Sequence, residues 1–185
     1  MEKRDNFFFF GFGQSAKYLV KELVISKKKF SFCATNTKKT KTIYFAKKKF
    51  KSFKFNNIFF DKKLLSKLIK SKFILVSIPP QKNKDIVLKK FSKTLKTLNF
   101  KKLIYLSATS VYGNHYGRWV NEHSKLNGKT KFGLRRKLAE KSWLIFKKNT
   151  GLNINILRVS GIYSKENNVL KKILKKNIYE KEKKF

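Results

Sequence analysis

The sequence predicts an α/β fold built on a doubly wound parallel sheet of about six strands, and three observations predict it. Short apolar runs alternate along the 185 residues with amphipathic segments of helical spacing. The first run, residues 7–10, leads straight into Gly11-Phe12-Gly13-Gln14-Ser15-Ala16 and a helix-spaced segment. Apolar residues make up 41% and aromatics 15%, enough for a core despite the charge. Strands that alternate with helices imply a parallel sheet covered on both faces.

Each element follows in order. Residues 7–10 read as a buried strand, with Ala16, Leu19, Val20, Leu23 and Val24 as the stripe of the next helix. Residues 30–35 are a second strand. The stretch 38–50 is ambiguous in period and is read as helical. Residues 57–60 form a short strand, and a helix runs from about residue 62 to residue 70. Residues 73–78 are a strand stopped by Pro79-Pro80. Val87, Phe91, Leu95 and Leu98 mark one face of a helix, and residues 103–106 a strand. A polar loop spans 107–129. Leu134, Leu138 and Ile145 lie on one face of another helix, residues 154–159 are the sixth strand, and Val169, Leu170, Ile173 and Leu174 suggest a last helix. No repeat or flexible linker interrupts the pattern, so residues 1–185 read as one domain.

The net charge of +37 points to a polyanionic partner. Its make-up weakens that inference. Of 47 basic residues five are arginine (Arg4, Arg118, Arg135, Arg136, Arg158), leaving 42 lysines. Lys, Phe, Asn and Ile share A/T-rich codons, so a drifting A/T-rich genome produces this profile. Nucleic-acid recognition would favour arginine's bidentate fork. A basic nucleic-acid-binding protein remains an alternative, and non-specific polyanion binding is expected either way. Cys33 stands alone, which excludes an intrachain disulfide or a cysteine-based zinc site and fits a cytoplasmic setting. No apolar run approaches membrane length, so no membrane partner is expected. A leader peptide at residues 3–10 is rejected because Glu2 and Asp5 flank the basic pair and the run breaks at Gln14.

The glycine pattern carries the chemistry. Gly11 permits a tight turn, Gly13 lets the backbone approach a pyrophosphate, and Ala16 lets the helix lie close to the sheet. Gln14 and Ser15 open the helix, whose N-terminus favours phosphate. NAD-binding folds of this type place an acidic residue on the ribose at the end of the second strand. Here no acidic residue lies between Glu22 and Asp61, and the strand ends Thr35-Asn36-Thr37-Lys38-Lys39. A lysine can pair with a 2′-phosphate that a carboxylate would repel. The expected cofactor is therefore NADP, with NAD possible, and Asn36 and Lys38 join the candidate binding residues.

Three further segments sharpen the reading: LIYLSATSVYGNHYGRWVNEHSKLN at 103–127, KFGLRRKLAEKSWL at 131–144 and INILRVSGIYS at 154–164. With the glycine loop, and in the same order, they resemble the extended or atypical short-chain dehydrogenase/reductase superfamily, in its NAD(P)-dependent epimerase/dehydratase branch. The resemblance implies a Rossmann fold, a dinucleotide and a sugar or nucleotide-sugar substrate. It implies that Asp61 lies near the adenine and that Ser77 and Ile78 pass the cofactor ribose. It places Tyr112, in a Val-Tyr-Gly turn, with Arg158 and Tyr163 near the nicotinamide and substrate.

The family's catalytic groups do not carry over. It uses a Tyr-x-x-x-Lys pair and a Ser or Thr on the fifth strand. Registered on Gly133 and Glu140, these positions hold Phe132, Arg136 and Ala108. Phenylalanine has no proton to give, and arginine does not shuttle one near neutrality. Arg136 could still hold a ribose hydroxyl or phosphate. The catalytic residues are thus unassigned, and a catalytically silent dinucleotide-binding sensor or scaffold is the alternative to an oxidoreductase or epimerase. The resemblance also implies further strands and a C-terminal substrate subdomain, largely missing at this length, which leaves room for an oligomer. His115, His123 and Glu122 lack a metal-binding register, and Ser107, Thr109 and Ser110 lack a His–Asp partner set.

Overall fold

The structure is a computed structural model, and it describes residues 4–81 and 85–164. Seven strands form one sheet: β1 (Asp5–Phe10), β2 (Phe30–Asn36), β3 (Lys41–Phe45), β4 (Lys48–Lys54), β5 (Phe73–Val76), β6 (Lys102–Ala108) and β7 (Ile154–Val159). Their order is β3-β4-β2-β1-β5-β6-β7. Every pairing is parallel except β3 with β4. The helices are α1 (Gln14–Ile25), α2 (Leu64–Ile69), α3 (Ile86–Lys96) and α4 (Lys131–Thr150). Chain order reverses across β1, so β1 marks the switch point where such folds bind ligands.

The phenylalanine run explains why β1 is central. Phe8, Phe9 and Phe10 are all fully buried. Alternation sends Phe9 to one face, with Phe32, Ala34 and the α1 residues Ala16 and Val20. Phe8 and Phe10 go to the other, with α2, α3 and α4. Phe10 meets Phe8, Phe55 and Phe91 at ring-centroid distances of 4.9, 5.9 and 5.1 Å. Phe10→Ala is expected to cost about 3–5 kcal/mol, from lost transfer energy and the cavity left behind. Urea denaturation measures it.

Two elements differ from the expectation. Stretch 38–50 is not a helix; it forms β3 and the first part of β4, an antiparallel hairpin. Ile43, Phe45 and Phe50 pack on one core while Tyr44 and Lys49 stay exposed, a period of two. The turn holds Ala46 and Lys47 at φ +48° and +59°. Such turns usually carry Asn-Gly or Asp-Gly, and Ala-Lys gives no such signal. Residues 57–60 are not a strand but a loop closed by a single Phe55–Phe60 bridge. Asn56 Oδ1 accepts the Ile58 and Phe59 N–H groups there, which turns the chain. The sheet therefore has seven strands rather than six.

The two long helices differ in which face they bury. On α3 the expected stripe holds, with Val87, Phe91 and Leu95 in the core. On α4 Leu134, Leu138 and Ile145 are instead 46%, 45% and 49% exposed. The buried stripe is Gly133, Ala139, Glu140 and Trp143. Close approach decides it: a Cβ on Gly133 would stand 2.5 Å from the Ser110 carbonyl oxygen. The last suggested helix, at 169–174, lies outside the described residues. Among the described residues no helix is long and apolar enough to cross a membrane.

Asp85 caps α3, its Oδ1 accepting the Val87 and Leu88 N–H groups. Burial pushes its carboxyl above the usual range, against those bonds and the nearby Trp143 and Arg136. A raised folded-state pKa means stability is lost as pH rises through it. Asp85→Asn keeps the cap acceptor and removes the titration. Its stability near pH 7 is expected to equal or exceed the parent's, with a flatter profile in acid. Asp85→Ala should instead lose about 1 kcal/mol with the cap. Thermal denaturation across pH distinguishes the two.

Candidate dinucleotide site

The glycine loop sits at the carboxyl end of β1. Gly11 has φ +89°, and its N–H donates to Thr35 Oγ1 at 2.8 Å. A Cβ on it would stand 2.9 Å from Ser77 Oγ, which itself donates to the Phe10 carbonyl at 3.1 Å. Gly11 is therefore the seam between β1, β2 and β5. Gly13 differs. It precedes α1 at φ −83°; among the described residues no side chain caps the helix, and a Cβ on it would meet nothing within 4 Å. Ala16 is fully buried behind the loop, where it sets the helix–sheet spacing.

Two cavities flank the loop. One of about 340 Å³ is lined by Gly11, Thr35, Asn36, Ile58 and Ile78, among others. The other, of about 230 Å³, is lined by Gly13, Gln14, Ser15, Ser77, Ala108 and Arg136 together with Ser107. The loop thus divides the expected binding residues into two sets, one on each side. Among the described residues no carboxylate lines either cavity. Arg136 is held in place by donating Nη1 to the Leu106 carbonyl. Anionic groups suit a lining of hydroxyls, a guanidinium and a helix N-terminus.

Asn36 lines the larger cavity, but its side chain is engaged by the protein: Nδ2 donates to Ser52 Oγ on β4 and to the Lys39 carbonyl, and Oδ1 accepts the Lys38 N–H. The remaining candidates stand outside the cavity walls. Asp61 accepts from Thr40 Oγ1 at 2.6 Å and from the Lys63 N–H at 2.9 Å. Those bonds hold its carboxyl below the usual range. It joins the base of the hairpin to the start of α2. Arg158 grips Glu140 through Nε and Nη2, at 2.9 Å for the shortest contact. Its Nη1 donates to Tyr112 Oη and to the Glu122 carbonyl, both at 3.0 Å. Its guanidinium also lies over the Tyr112 ring. Tyr163 is 72% exposed, and Phe132 in the first turn of α4 is 74% exposed.

Sequence reasoning missed Ser107 as a cavity residue. It is 3% exposed, and its Oγ has no hydrogen-bond partner. Strand alternation could have found it, since Leu103, Tyr105 and Ser107 share the buried face of β6. Thr35 was also missed as the anchor of Gly11. Among the described residues, no three His, Cys, Asp or Glu side chains gather as metal ligands.

No protein-family model matches the chain. No curated protein sequence matches it. Solved structures do share the fold. A UDP-glucuronic acid 4-epimerase from Bacillus cereus, in complex with NAD, superposes with a TM-score of 0.67 at 18% identity, covering 86% of this chain and 57% of that one. A UDP-N-acetylglucosamine 4-epimerase from Methanobrevibacter ruminantium M1, in complex with UDP-N-acetylmuramic acid, gives 0.64 at 18%, covering 85% and 55%. A conserved protein of unknown function from Silicibacter pomeroyi gives 0.67 at 22%, covering 86% and 54%. The chain spans little more than half the length of these structures. The likeness establishes a Rossmann-type sheet with flanking helices.

Proposed function

We propose that residues 1–185 form a single dinucleotide-binding domain of the epimerase/dehydratase type, which takes NADP in preference to NAD and a sugar or nucleotide-sugar as its second ligand. The observation that carries this is Gly13, at a helix N-terminus that no described side chain caps, where a Cβ would meet nothing within 4 Å, with a cavity on either side of its loop. The similar solved structures that contain NAD or a UDP-sugar support the ligand class. The preference for NADP rests on the end of β2, where a ribose-binding carboxylate would stand. Asn36 turns its amide inward, and the exposed Lys38 and Lys39 follow it. NADPH is expected to bind about tenfold more tightly than NADH at physiological salt, a difference of about 1.4 kcal/mol. Lys38→Gln with Lys39→Gln should narrow the gap, as read by fluorescence titration. Equal affinities in the parent would refute the preference.

A bound dinucleotide supplies a hydride donor or acceptor. The residues here would bind and orient it: Gly13 and Ser15 would hold the diphosphate, and Arg136 and Ser107 would offer donors from the same cavity lining. A second reading, binding without turnover, rests on the lining of the smaller cavity. Among the described residues its side chains are hydroxyls, an amide, a guanidinium and apolar groups, and none of these exchanges a proton near neutrality. The exposed Phe132 cannot add one. This reading predicts no NADPH oxidation with any nucleotide sugar by protein that binds NADPH; measurable turnover would refute it.

A further inference from the structure

A sheet covered by helices on both faces has interior strands that are apolar on both. β4 departs from this. It lies between β3 and β2, inside the sheet. One of its faces carries Phe50, buried against Phe32. The other carries Lys49 and Lys51, both exposed, before reaching Phe53 in the core. Their partners on β3 are Tyr44 and Thr42, also exposed. α2 has six residues and brings Lys67 within electrostatic reach of Cys33, the β2 partner of Lys51. An uncovered sheet face therefore shows Thr42, Tyr44, Lys49 and Lys51, bordered by Lys67. Lysines on an edge strand would guard against strand pairing, but β4 is not an edge. Composition fixes how many lysines the chain has, not their alternation on one sheet face beside an exposed tyrosine.

We infer that this face binds single-stranded nucleic acid. Lys49 and Lys51 project from the same face about 7 Å apart, two residues along a strand, so they can follow a phosphate backbone. Tyr44 is 71% exposed, and the Lys49 ammonium lies 5.7 Å from its ring centroid. The ammonium lies over one face of the ring, and a base can stack on the other face or displace the lysine to its phosphate, a combination of aromatic surface and cation that holds unpaired bases with little regard to sequence. A duplex would offer Tyr44 no base face. A membrane surface would demand more exposed apolar area than one tyrosine and one threonine supply. Asp61 borders the patch near Lys51 and Lys63, its carboxylate already engaged by Thr40 and Lys63. None of the patch residues lines the cavities beside the glycine loop, so this surface is independent of the dinucleotide reading.

The test is fluorescence anisotropy with a labelled single-stranded oligonucleotide at physiological salt. Lys49→Gln/Lys51→Gln/Lys67→Gln is compared with Lys89→Gln/Lys93→Gln/Lys96→Gln, which removes the same charge from exposed positions on α3. The patch variant is expected to bind about tenfold more weakly or worse, and the α3 variant to change less than about threefold. Tyr44→Ala should weaken binding about tenfold with an unchanged salt slope, because stacking is lost but no phosphate contact is. Equal losses in the two lysine variants would overturn the proposal in favour of bulk charge. So would an unaffected Tyr44→Ala, an absence of binding by the parent, or patch-dependent binding to phosphatidylserine vesicles without binding to the oligonucleotide.

Discussion

Gly13→Val is expected to weaken NADPH binding at least about 100-fold, roughly 2.8 kcal/mol, while the protein stays folded. The two glycines of the loop separate binding from folding. Gly11 sits at φ +89° with Ser77 Oγ in the place of a side chain, so any substitution there strains the junction of three strands. Its loss of binding would say nothing about ligand. Gly13 has φ −83°, which any L-residue adopts, and no atom within 4 Å of a Cβ. A valine fits there without disturbing the fold. It projects into the space before α1 that the diphosphate requires and holds it off the helix N-terminus. The comparison also controls for charge. A protein of net charge +37 attracts phosphates by its field alone, and Gly13→Val leaves that field unchanged. Equal, weak binding by both proteins, with matching urea midpoints, would reduce the loop to a structural turn.

The sequence made the fold legible where its signals were local. Four phenylalanines in a row cannot alternate with polar residues, so they read as a strand buried on both faces, and β1 is that strand. The glycine loop was legible because its turn, its close approach and its small residue each need a particular side chain, or none. The hairpin β3–β4 was not, because Ala46 and Lys47 adopt positive φ without glycine or asparagine to announce it. The face of α4 was hidden for a different reason. Its packing surface is made of Gly133, Glu140 and Trp143, and Glu140 is buried only because Arg158 meets it from β7. No window of local sequence contains both partners. Ser107 was overlooked because the family register points to the next residue, Ala108. The face of the strand, rather than the register of the motif, decides which hydroxyl reaches the cavity.

Arg158→Met is expected to cost about 3–5 kcal/mol of folding stability, because it strands a buried charge. The Glu140 side chain is 1% exposed, and among the described residues Arg158 supplies its ion pair and hydrogen bonds. The same guanidinium fixes Tyr112 and the Glu122 carbonyl, so one side chain fastens α4, β7 and the loop after β6 together. Arg136 rises from the same helix one turn before Glu140, which makes its place at the cavity depend on this clamp. Glu140→Leu in the Arg158→Met background removes the stranded carboxylate and should recover most of the loss, since a well-packed apolar pair can match a buried ion pair. A double-mutant cycle by urea denaturation measures the coupling. The resemblance to epimerases gives Arg158 a different task, contact with substrate or nicotinamide. That task predicts an Arg158→Met protein of ordinary stability with weakened ligand binding and no recovery from Glu140→Leu. The geometry predicts the reverse, with stability lost first and binding lost only as α4 loosens.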